Sequence, residues 1–576
     1  MPQKFPGQLR PSQIVTTFGP GSIVDLPKDS VIVLGLDFWP NQPAQYRPIA
    51  EPRLERVLRV KGFRVPVSEE ELANVPCSTF PLTRICADCN SLRRNEPDSY
   101  KDGFRCKRCG SGNTYAARLI TACARGHLDE FPWAEWAHNG KLCKTPDLYL
   151  VSLGKTSALG DLIVRCRKRG DADPKATGCG ASRSLSGALS PDSVRSLIKR
   201  CQGFRPWLQD KEECEADPIG IQRGGSNVYF SVSTSSLSIP PWTSKLYIDI
   251  EKYREAITDV ISKNPAIAPE LVKTLLPDYD PQVVIQALQK RQTVSPDMRP
   301  EEWVVLNTRD PITEGNQLEV HPQEIPTSFD GWIGALAIVD RLREVATIRG
   351  FTRLSPPDPE MPRDARVLPL AKHQTDWLPG VEVFGEGIFF ALNTARVREW
   401  ESSSPVAKRS RELFDVYQNW RTQKQWTGSS ALLPRFILLH TISHIMIRQL
   451  ALQSGYGSAS IRERIYSSGS MQGVLLYTAS DGSEGSLGGL ARQGRPTLFE
   501  RTLTGAILST ERCSSDPLCY ENDPKVTGTL SGAACHVCSF VSETSCEFSN
   551  RLLDRRTVIP STTEEASYFK DFGAAV

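Results

Sequence analysis

Two closely spaced cysteine pairs, Cys86-x2-Cys89 and Cys106-x2-Cys109, are the residues of this sequence whose chemistry is most specific. Thiolates on two tight turns, separated by a short hairpin, can converge tetrahedrally on Zn²⁺. The spacing therefore predicts a zinc ribbon, and it disfavours the alternative of four free buried cysteines.

More potential ligands follow between residues 123 and 214, at looser spacing. We expect one further zinc site here, with the ligands Cys166, Cys179, Cys201 and Cys214. The remaining candidates compete as ligands of a different site: Cys123, His127 and Cys143. Loose spacing leaves the pairing of individual ligands open.

A third cluster near the C-terminus offers five thiols for four positions. The expected ligands are Cys519, Cys535, Cys538 and Cys546, because Cys535-x2-Cys538 forms the tight turn and the other two flank it. Cys513 is then left over, and a cysteine-rich core without metal is the alternative. A shell of four thiolates leaves no position for water, so the Zn²⁺ ions, two to four in number, are expected to be structural.

Basic residues accompany the first two cysteine groups. Residues 161–205 carry ten Lys or Arg against four Asp, which favours contact with the phosphates of a nucleic acid. The alternative for the ribbon is a solvated basic rim that tunes the thiolates. The candidate DNA-contacting residues are Arg93, Arg94, Arg105, Lys107, Arg108, Arg165, Arg167, Lys168 and Arg169.

Signatures of catalysis are incomplete. Gly154-Lys155-Thr156 resembles the end of a phosphate-binding loop, but Tyr149 stands where that loop requires glycine. His440 and His444 have the spacing of zinc peptidases, but Thr441 replaces the glutamate general base, so we expect them to be core groups. A nuclease that uses unrecognised carboxylates stays an alternative.

The 576 residues exceed what one hydrophobic core supports, so several folding units are expected. No run of about 18 apolar residues is present, and the N-terminus has no apolar signal region. We therefore expect a soluble cytoplasmic protein whose sixteen cysteines stay reduced. A net charge of +3 does not by itself indicate nucleic-acid binding.

The sequence pattern around these ligands predicts a multidomain α+β or α/β protein. Residues 331–354 are expected to form a buried helix leading into a strand, and Pro434 to Ala451 a mostly buried helix. The expected segments are an N-terminal α/β segment (1–80), a zinc-ribbon-rich region (81–240), a helical insert (241–310), a mixed α/β core segment (311–430) and a C-terminal α/β zinc-binding domain (431–576).

Several motifs resemble the DrmB family of the DISARM anti-phage system: RPSQIVTTFGPGSIVDLP, CARGHLDEFPW, GCGASRSLSGA, GFRPWLQD, GGSNVYFSV, LREVATIRGFTRL and GAACHVCSFVSETSCEFSNRLLDR. The C-terminal part also resembles the zinc-binding domain of MrfA-type DNA helicases, and that resemblance places the ligands on Cys519, Cys535, Cys538 and Cys546. The wide spacing from Cys166 to Cys179 departs from the tighter pair expected.

The resemblance implies a non-catalytic partner of a DrmA-like helicase that helps to load or hold DNA, either single-stranded or tailed duplex. It implies no membrane association. A metal-dependent nuclease and a pure scaffold without DNA contact are the alternatives.

Overall fold

The computed structural model describes residues 9–26, 29–40, 46–66, 75–94, 105–154, 156, 158–168, 170, 175–292, 297–315, 317–358, 360–361, 367–424, 426, 430–478, 488–558, 566–570 and 572. The architecture below refers to these residues.

The N-terminal half is built from short strands. They are β1 (Ile23–Asp25), β2 (Ser30–Val33), β3 (Tyr46–Ile49), β4 (Gly62–Pro66), β5 (Cys77–Thr79), β6 (Thr83–Cys86), β7 (Leu92–Arg94), β8 (Thr114–Ala116), β9 (Leu119–Cys123), β10 (Leu128–Glu130), β11 (Leu148–Ser152), β12 (Leu162–Cys166), β13 (Ser182–Ser184), β14 (Phe204–Arg205), β15 (Asp210–Lys211) and β16 (Pro218–Gln222). Longer strands follow: β17 (Phe230–Leu237), β18 (Ile312–Glu314), β19 (Leu318–Gln323), β20 (Ile333–Thr352), β21 (Trp377–Leu392), β22 (Ile461–Tyr466) and β23 (Gly473–Thr478).

The helices of eight or more residues begin at Lys245, after β17. In chain order, the helices are α1 (Pro11–Thr16), α2 (Pro52–Leu58), α3 (Trp133–Ala137), α4 (Pro191–Arg195), α5 (Lys245–Lys263), α6 (Ala268–Leu275), α7 (Pro281–Gln292), α8 (Arg299–Leu306), α9 (Thr394–Ser402), α10 (Ser404–Gln423), α11 (Pro434–Ser454), α12 (Pro496–Leu508) and α13 (Pro524–Thr527). Helix α11 begins with proline, whose missing N–H needs no partner in the first turn, and it ends at Gly455 with a φ of 77°.

The centre of the molecule is a mostly antiparallel sheet in the order β18-β19-β20-β21-β23-β22. Strand β17 also pairs with β20, and β4 pairs with β21 in parallel through Trp377–Pro379. The sheet therefore joins strands from widely separated parts of the sequence.

Both faces of this sheet are covered. Because successive side chains in a strand point to opposite faces, Ile388 and Phe390 of β21 pack in one core with α11 and α12. Phe389 and Ala391 pack in a second core with α5 to α8. The result is a layer of helices on each side of the sheet.

The other ends of β20 and β21 enter the N-terminal core. Val345, Ile348 and Phe351 pack there with α1 and with Trp207. Three small sheets, β7-β6-β8, β10-β9-β16 and β11-β12-β13, hold Cys86, Cys123 and Cys166 on their strands, and β10-β9-β16 contributes to this core.

The structure confirms a mixed α/β fold with cysteine clusters in the N-terminal half. The helix expected at Pro434 is confirmed, but the helix expected within residues 331–354 is wrong, because β20 runs through them as one strand. Apolar residues of β20 follow one another without alternation because helices cover both faces of the sheet. A continuous apolar run cannot by itself distinguish a buried strand from a buried helix.

The predicted segment boundaries stay a prediction. The central sheet takes strands from both sides of residue 430, since β21 pairs with β23. Within the described residues, no helix is long and apolar enough to cross a bilayer.

Candidate metal centres

The zinc-ribbon residues lie together on two similar turns beside β6 and β8. Cys86 Sγ lies 3.6 Å from Cys109 Sγ, and Cys89 Sγ lies 3.6 Å from Cys106 Sγ. Four sulfurs at the usual zinc distance of about 2.3 Å stand about 3.8 Å apart, so the quartet fits a tetrahedral ion. Burial alone would raise the pKa of Cys106, but backbone N–H groups of Cys109 and Arg108 bring it down to about 7.

A second quartet consists of Cys123, His127, Cys201 and Cys214. Cys123 Sγ lies 3.4 Å from His127 Nδ1 and 3.9 Å from Cys214 Sγ. The other ring nitrogen, His127 Nε2, lies 2.8 Å from a carboxylate oxygen of Glu212, the type of outer contact that orients a metal-binding imidazole. Contact with the Cys201 thiol, and then with His127, lowers the pKa of Cys123 to about 4 despite its burial.

A third quartet consists of His138, Cys143, Cys166 and Cys179. Cys143 Sγ and Cys166 Sγ are 3.8 Å apart, and the backbone N–H groups of Asp147 and Cys179 each lie 3.4 Å from Cys166 Sγ. His138 Nδ1 lies 2.7 Å from the carbonyl oxygen of Ala134, while its buried Nε2 has no hydrogen-bond partner. An imidazole nitrogen left unpartnered in this way fits a metal ligand.

The structure therefore groups the middle cysteines differently from the expected set of Cys166, Cys179, Cys201 and Cys214. Strand pairing gives the reason: β11 against β12 brings Cys143 beside Cys166, and β9 against β16 brings Cys123 beside the segment that holds Cys214. Cys123, His127 and Cys143, expected at a different site, are divided between the two quartets. Sequence reasoning missed His138, whose only signal is its position five residues before Cys143.

The C-terminal quartet also differs from the expected one by a single residue. It consists of Cys513, Cys519, Cys535 and Cys538. Cys513 Sγ lies 3.6 Å from Cys535 Sγ, and Cys519 Sγ lies 3.7 Å from Cys538 Sγ. Contact with the Cys519 thiol lowers the pKa of Cys538 to about 5. Cys546, expected in this quartet, lies instead 3.2 Å from His440 Nε2.

Cys77 provides a contrast to these four quartets. Its thiol lies 3.4 Å from the carbonyl oxygen of Val75, and burial raises its pKa to about 12. This side chain is a partly buried, neutral thiol. None of the sixteen cysteines is in a disulfide, and their grouping, with sulfur spacings of 3.6 to 3.9 Å, is that of structural zinc sites.

The basic residues expected on two separate modules meet at one seam beside β7 and β11. Arg93 and Arg108 both contact the buried carboxylate of Asp147, at 2.8 Å and 3.0 Å. The guanidinium of Arg167 lies 3.4 Å from the ring centre of Tyr149, and an isolated bridge joins Tyr149 to Ser91. We call Arg93, Arg108 and Arg167 the basic seam.

The other expected DNA-contacting residues surround the seam or lie outside the described chain. Arg165 faces Tyr149 across the β11–β12 pair. The exposed ones are Arg94, Arg105, Lys107, Arg165 and Lys168. Arg169 lies outside the described residues. Within the described residues, the buried Asp147 carboxylate is shared by two of the three seam arginines, Arg93 and Arg108.

Comparisons with known proteins match two regions of the chain and one relative over most of its length. Residues 10–230 match a domain of unknown function (DUF8724), and residues 442–539 match the MrfA Zn-binding domain. The chain is 31% identical over 584 residues to the DISARM protein DrmB of Bacillus paralicheniformis (strain ATCC 9945a / NCIMB 11709 / CD-2), covering 95% of this chain and 99% of that protein. The chain belongs to the DrmB family. Members of this family are components of the DISARM defence system, and the present chain is a zinc protein whose C-terminal region contains a zinc-binding domain.

Proposed function

We propose that this DrmB-family chain is a non-catalytic component of an anti-phage complex that binds a DrmA-like helicase and holds DNA through its basic seam and the exposed basic residues beside it. The DNA is single-stranded or a tailed duplex. The zinc ions are structural in this proposal, because each quartet fills four positions with protein ligands and leaves none for water.

The observation that carries the DNA-binding part is the meeting of Arg93, Arg108 and Arg167 at Asp147 and Tyr149. Two zinc quartets, the ribbon and the one that contains Cys166, flank this seam and fix its strands. A cluster of arginines of this kind, with the exposed Arg94 and Lys107 beside it, suits phosphates, which position a nucleic acid without reading its sequence.

The helicase-binding part rests on the family and on the C-terminal match. A DISARM component is part of a multiprotein system, and the C-terminal region matches a zinc-binding domain named after MrfA. A chain that works beside a motor protein needs no nucleotide-binding loop of its own, and Tyr149, where such a loop requires glycine, is buried under the seam.

The test is DNA binding by the purified full chain, alone and with the helicase, across a salt series. Neutralising Arg94→Gln together with Lys107→Gln removes two exposed charges beside the seam. We expect weaker binding to single-stranded and tailed DNA, and a log–log salt slope reduced by about 0.7 for each phosphate that is no longer neutralised. The matched control, Lys273→Gln with Lys408→Gln, removes two exposed charges on α6 and α10 and should leave the slope unchanged.

The same experiment separates the alternatives. Binding that is absent both with and without the helicase would reduce the chain to a scaffold. Mg²⁺-dependent degradation of DNA by the lone chain, abolished by one acidic-to-alanine change, would instead identify a nuclease.

A further inference from the structure

Two buried histidines of α11, His440 and His444, lie one turn apart and face the same point in the C-terminal core. Both side chains are fully buried, and their ring centres are 4.5 Å apart. Glu463 of β22, itself buried, faces them, with its Oε1 3.2 Å from His440 Nε2 and 3.5 Å from His444 Nε2. Cys546 completes the group, its Sγ 3.2 Å from His440 Nε2.

The ring of His444 is oriented so that a lone pair points into this group. Its Nδ1 donates to the carbonyl oxygen of Ser539 at 2.9 Å, so the neutral ring carries its proton there. Its Nε2 is buried, lacks a hydrogen-bond partner and faces the Glu463 carboxylate. A lone pair held against a carboxylate is repulsive unless a proton or a metal ion lies between them, and a four-residue ligand set favours the metal ion.

Cys546 has the surroundings of a thiolate ligand. The backbone N–H groups of Phe548 and Asn550 lie 3.3 and 3.2 Å from its Sγ. The ligand Cys166 of the third quartet has two such N–H contacts at 3.4 Å. The backbone fixes Cys546 beside the carboxylate, because Glu463 N donates to Ser545 O at 3.1 Å and Glu547 N donates to Glu463 Oε1 at 3.0 Å.

We propose that His440, His444, Glu463 and Cys546 form a closed mixed-ligand site for a divalent transition-metal ion, with Zn²⁺ the expected occupant. One atom from each residue lies within 4.8 Å of the other three, which a four-coordinate ion can span. Two neutral imidazoles, one carboxylate and one thiolate balance the charge of a divalent ion. Imidazole, thiolate and carboxylate are all common zinc ligands, and four protein ligands leave no open position for chemistry.

The proposed site is coupled to the C-terminal cysteine quartet through one residue. Ser539 accepts the His444 hydrogen bond with its carbonyl oxygen, and its hydroxyl lies 3.3 Å from Cys538 Sγ. An ion at the mixed site would thus fix α11 and β22 against the segment that carries the quartet. The two metals together then hold the C-terminal cysteine-rich segment on the core.

The deciding experiment is anomalous diffraction at the zinc edge from crystals of the wild-type full chain. We expect a peak within bonding distance of His440, His444, Glu463 and Cys546, in addition to the peaks at the cysteine quartets. Peaks at the quartets with none here would overturn the proposal, since the group would then be a proton-linked network without metal.

Metal counting by native mass spectrometry gives a second readout. Cys546→Ser and Glu463→Gln should each carry one ion fewer per chain than the wild type, while Cys77→Ser, which removes a partly buried thiol outside the five groups described above, should carry the same number. Folded variants with an unchanged metal count would contradict the site. Where a variant does not fold, the wild-type diffraction map decides.

Discussion

Arginine side chains lie beside the thiolate quartets, and this placement follows from charge. A divalent ion with four thiolates has a net charge of −2, which is costly in a partly buried position unless a cation is near. Arg108 lies within the second turn of the ribbon, and Arg555 lies beside the C-terminal quartet, where it contacts Asp516 and donates to Thr510 O at 2.8 Å. These arginines therefore stabilise the metal sites as well as the surrounding chain.

Cys513 gives a test of how the C-terminal ligands are assigned. The structure places it in the quartet, so Cys513→Ser should lose about one zinc ion per chain and lower the thermal midpoint. Cys77→Ser is the matched control and should keep its zinc. Zinc content and melting temperature of the two purified variants are the measurements. An unchanged zinc content in Cys513→Ser would restore the assignment in which this residue is left over.

The Cys-x2-Cys pairs could be predicted from sequence because the two thiols of each pair lie on one tight turn. The remaining ligands could not, because their grouping depends on pairings such as β9 with β16, whose residues are nearly a hundred positions apart. His138 was missed because a lone histidine five residues before Cys143 has no distinctive spacing, and Cys513 was left over because it lies outside the tight Cys535-x2-Cys538 turn. The mixed group of His440, Glu463 and Cys546 was missed because a strand and a distant loop supply two of its members.

A buried ionic network joins α2, α8 and β22. Glu302 is fully buried and accepts hydrogen bonds from Arg464 at 2.7 and 2.8 Å, while its Oε1 lies 3.5 Å from Arg53 Nη1. Tyr466 also donates to Glu302, at 3.1 Å. The network fixes the helical layer of α8 to the edge strand of the central sheet, because these buried charged groups are out of contact with water and depend on one another for hydrogen bonds.

Replacing Glu302 by Gln should destabilise the fold by about 3 to 5 kcal/mol near neutral pH, because it removes the carboxylate that accepts both hydrogen bonds of the buried Arg464. Burial opposes ionisation of Glu302, but the charge of Arg464 lowers its pKa below the ordinary value of 4.5. The stabilisation is therefore complete above that value and is lost as the pH falls through the lowered pKa.

The measurement is the difference in denaturant midpoint between wild type and Glu302→Gln from pH 7 to pH 3. We expect the difference to shrink below about pH 4.5, and a constant difference would contradict the charged network. Both chains lose zinc as the pH falls, and this common effect on the denaturant midpoint cancels when the two midpoints are subtracted. Glu301→Gln, at a neighbouring and partly exposed carboxylate that also contacts Arg53, should have a smaller effect.

Arg353 joins three segments that are far apart in the sequence. This buried side chain follows β20 and donates to the carbonyl oxygens of Gly21, Gly126 and Val228, with lengths of 2.6 Å to Gly21 and 2.9 Å to Gly126. Gly126 lies between Cys123 and His127 of the second quartet. Arg353 thus connects a metal site to the end of the central sheet.

Arg353→Met should cost about 3 kcal/mol or more, because it leaves three buried carbonyl groups without their donor. Arg398→Met, at an exposed position on α9, is the control and should change stability by less than about 0.5 kcal/mol. Thermal unfolding of the zinc-loaded chains is the measurement. Equal midpoints for the two variants would show that Arg353 does not join these segments energetically.

The pairing of β4 with β21 sets the order in which the chain can be completed during translation. Residues 62–64 meet residues 377–379 in this pair, and the N-terminal core contains side chains from both. A ribosome that adds roughly 5 to 20 residues per second needs on the order of 15 to 60 s to make the intervening chain. The N-terminal core therefore stays incomplete until β21 has been synthesised. The ligands of the three N-terminal metal quartets all lie within residues 86–214 and are synthesised long before that strand, which favours early capture of zinc by the locally closed ribbon.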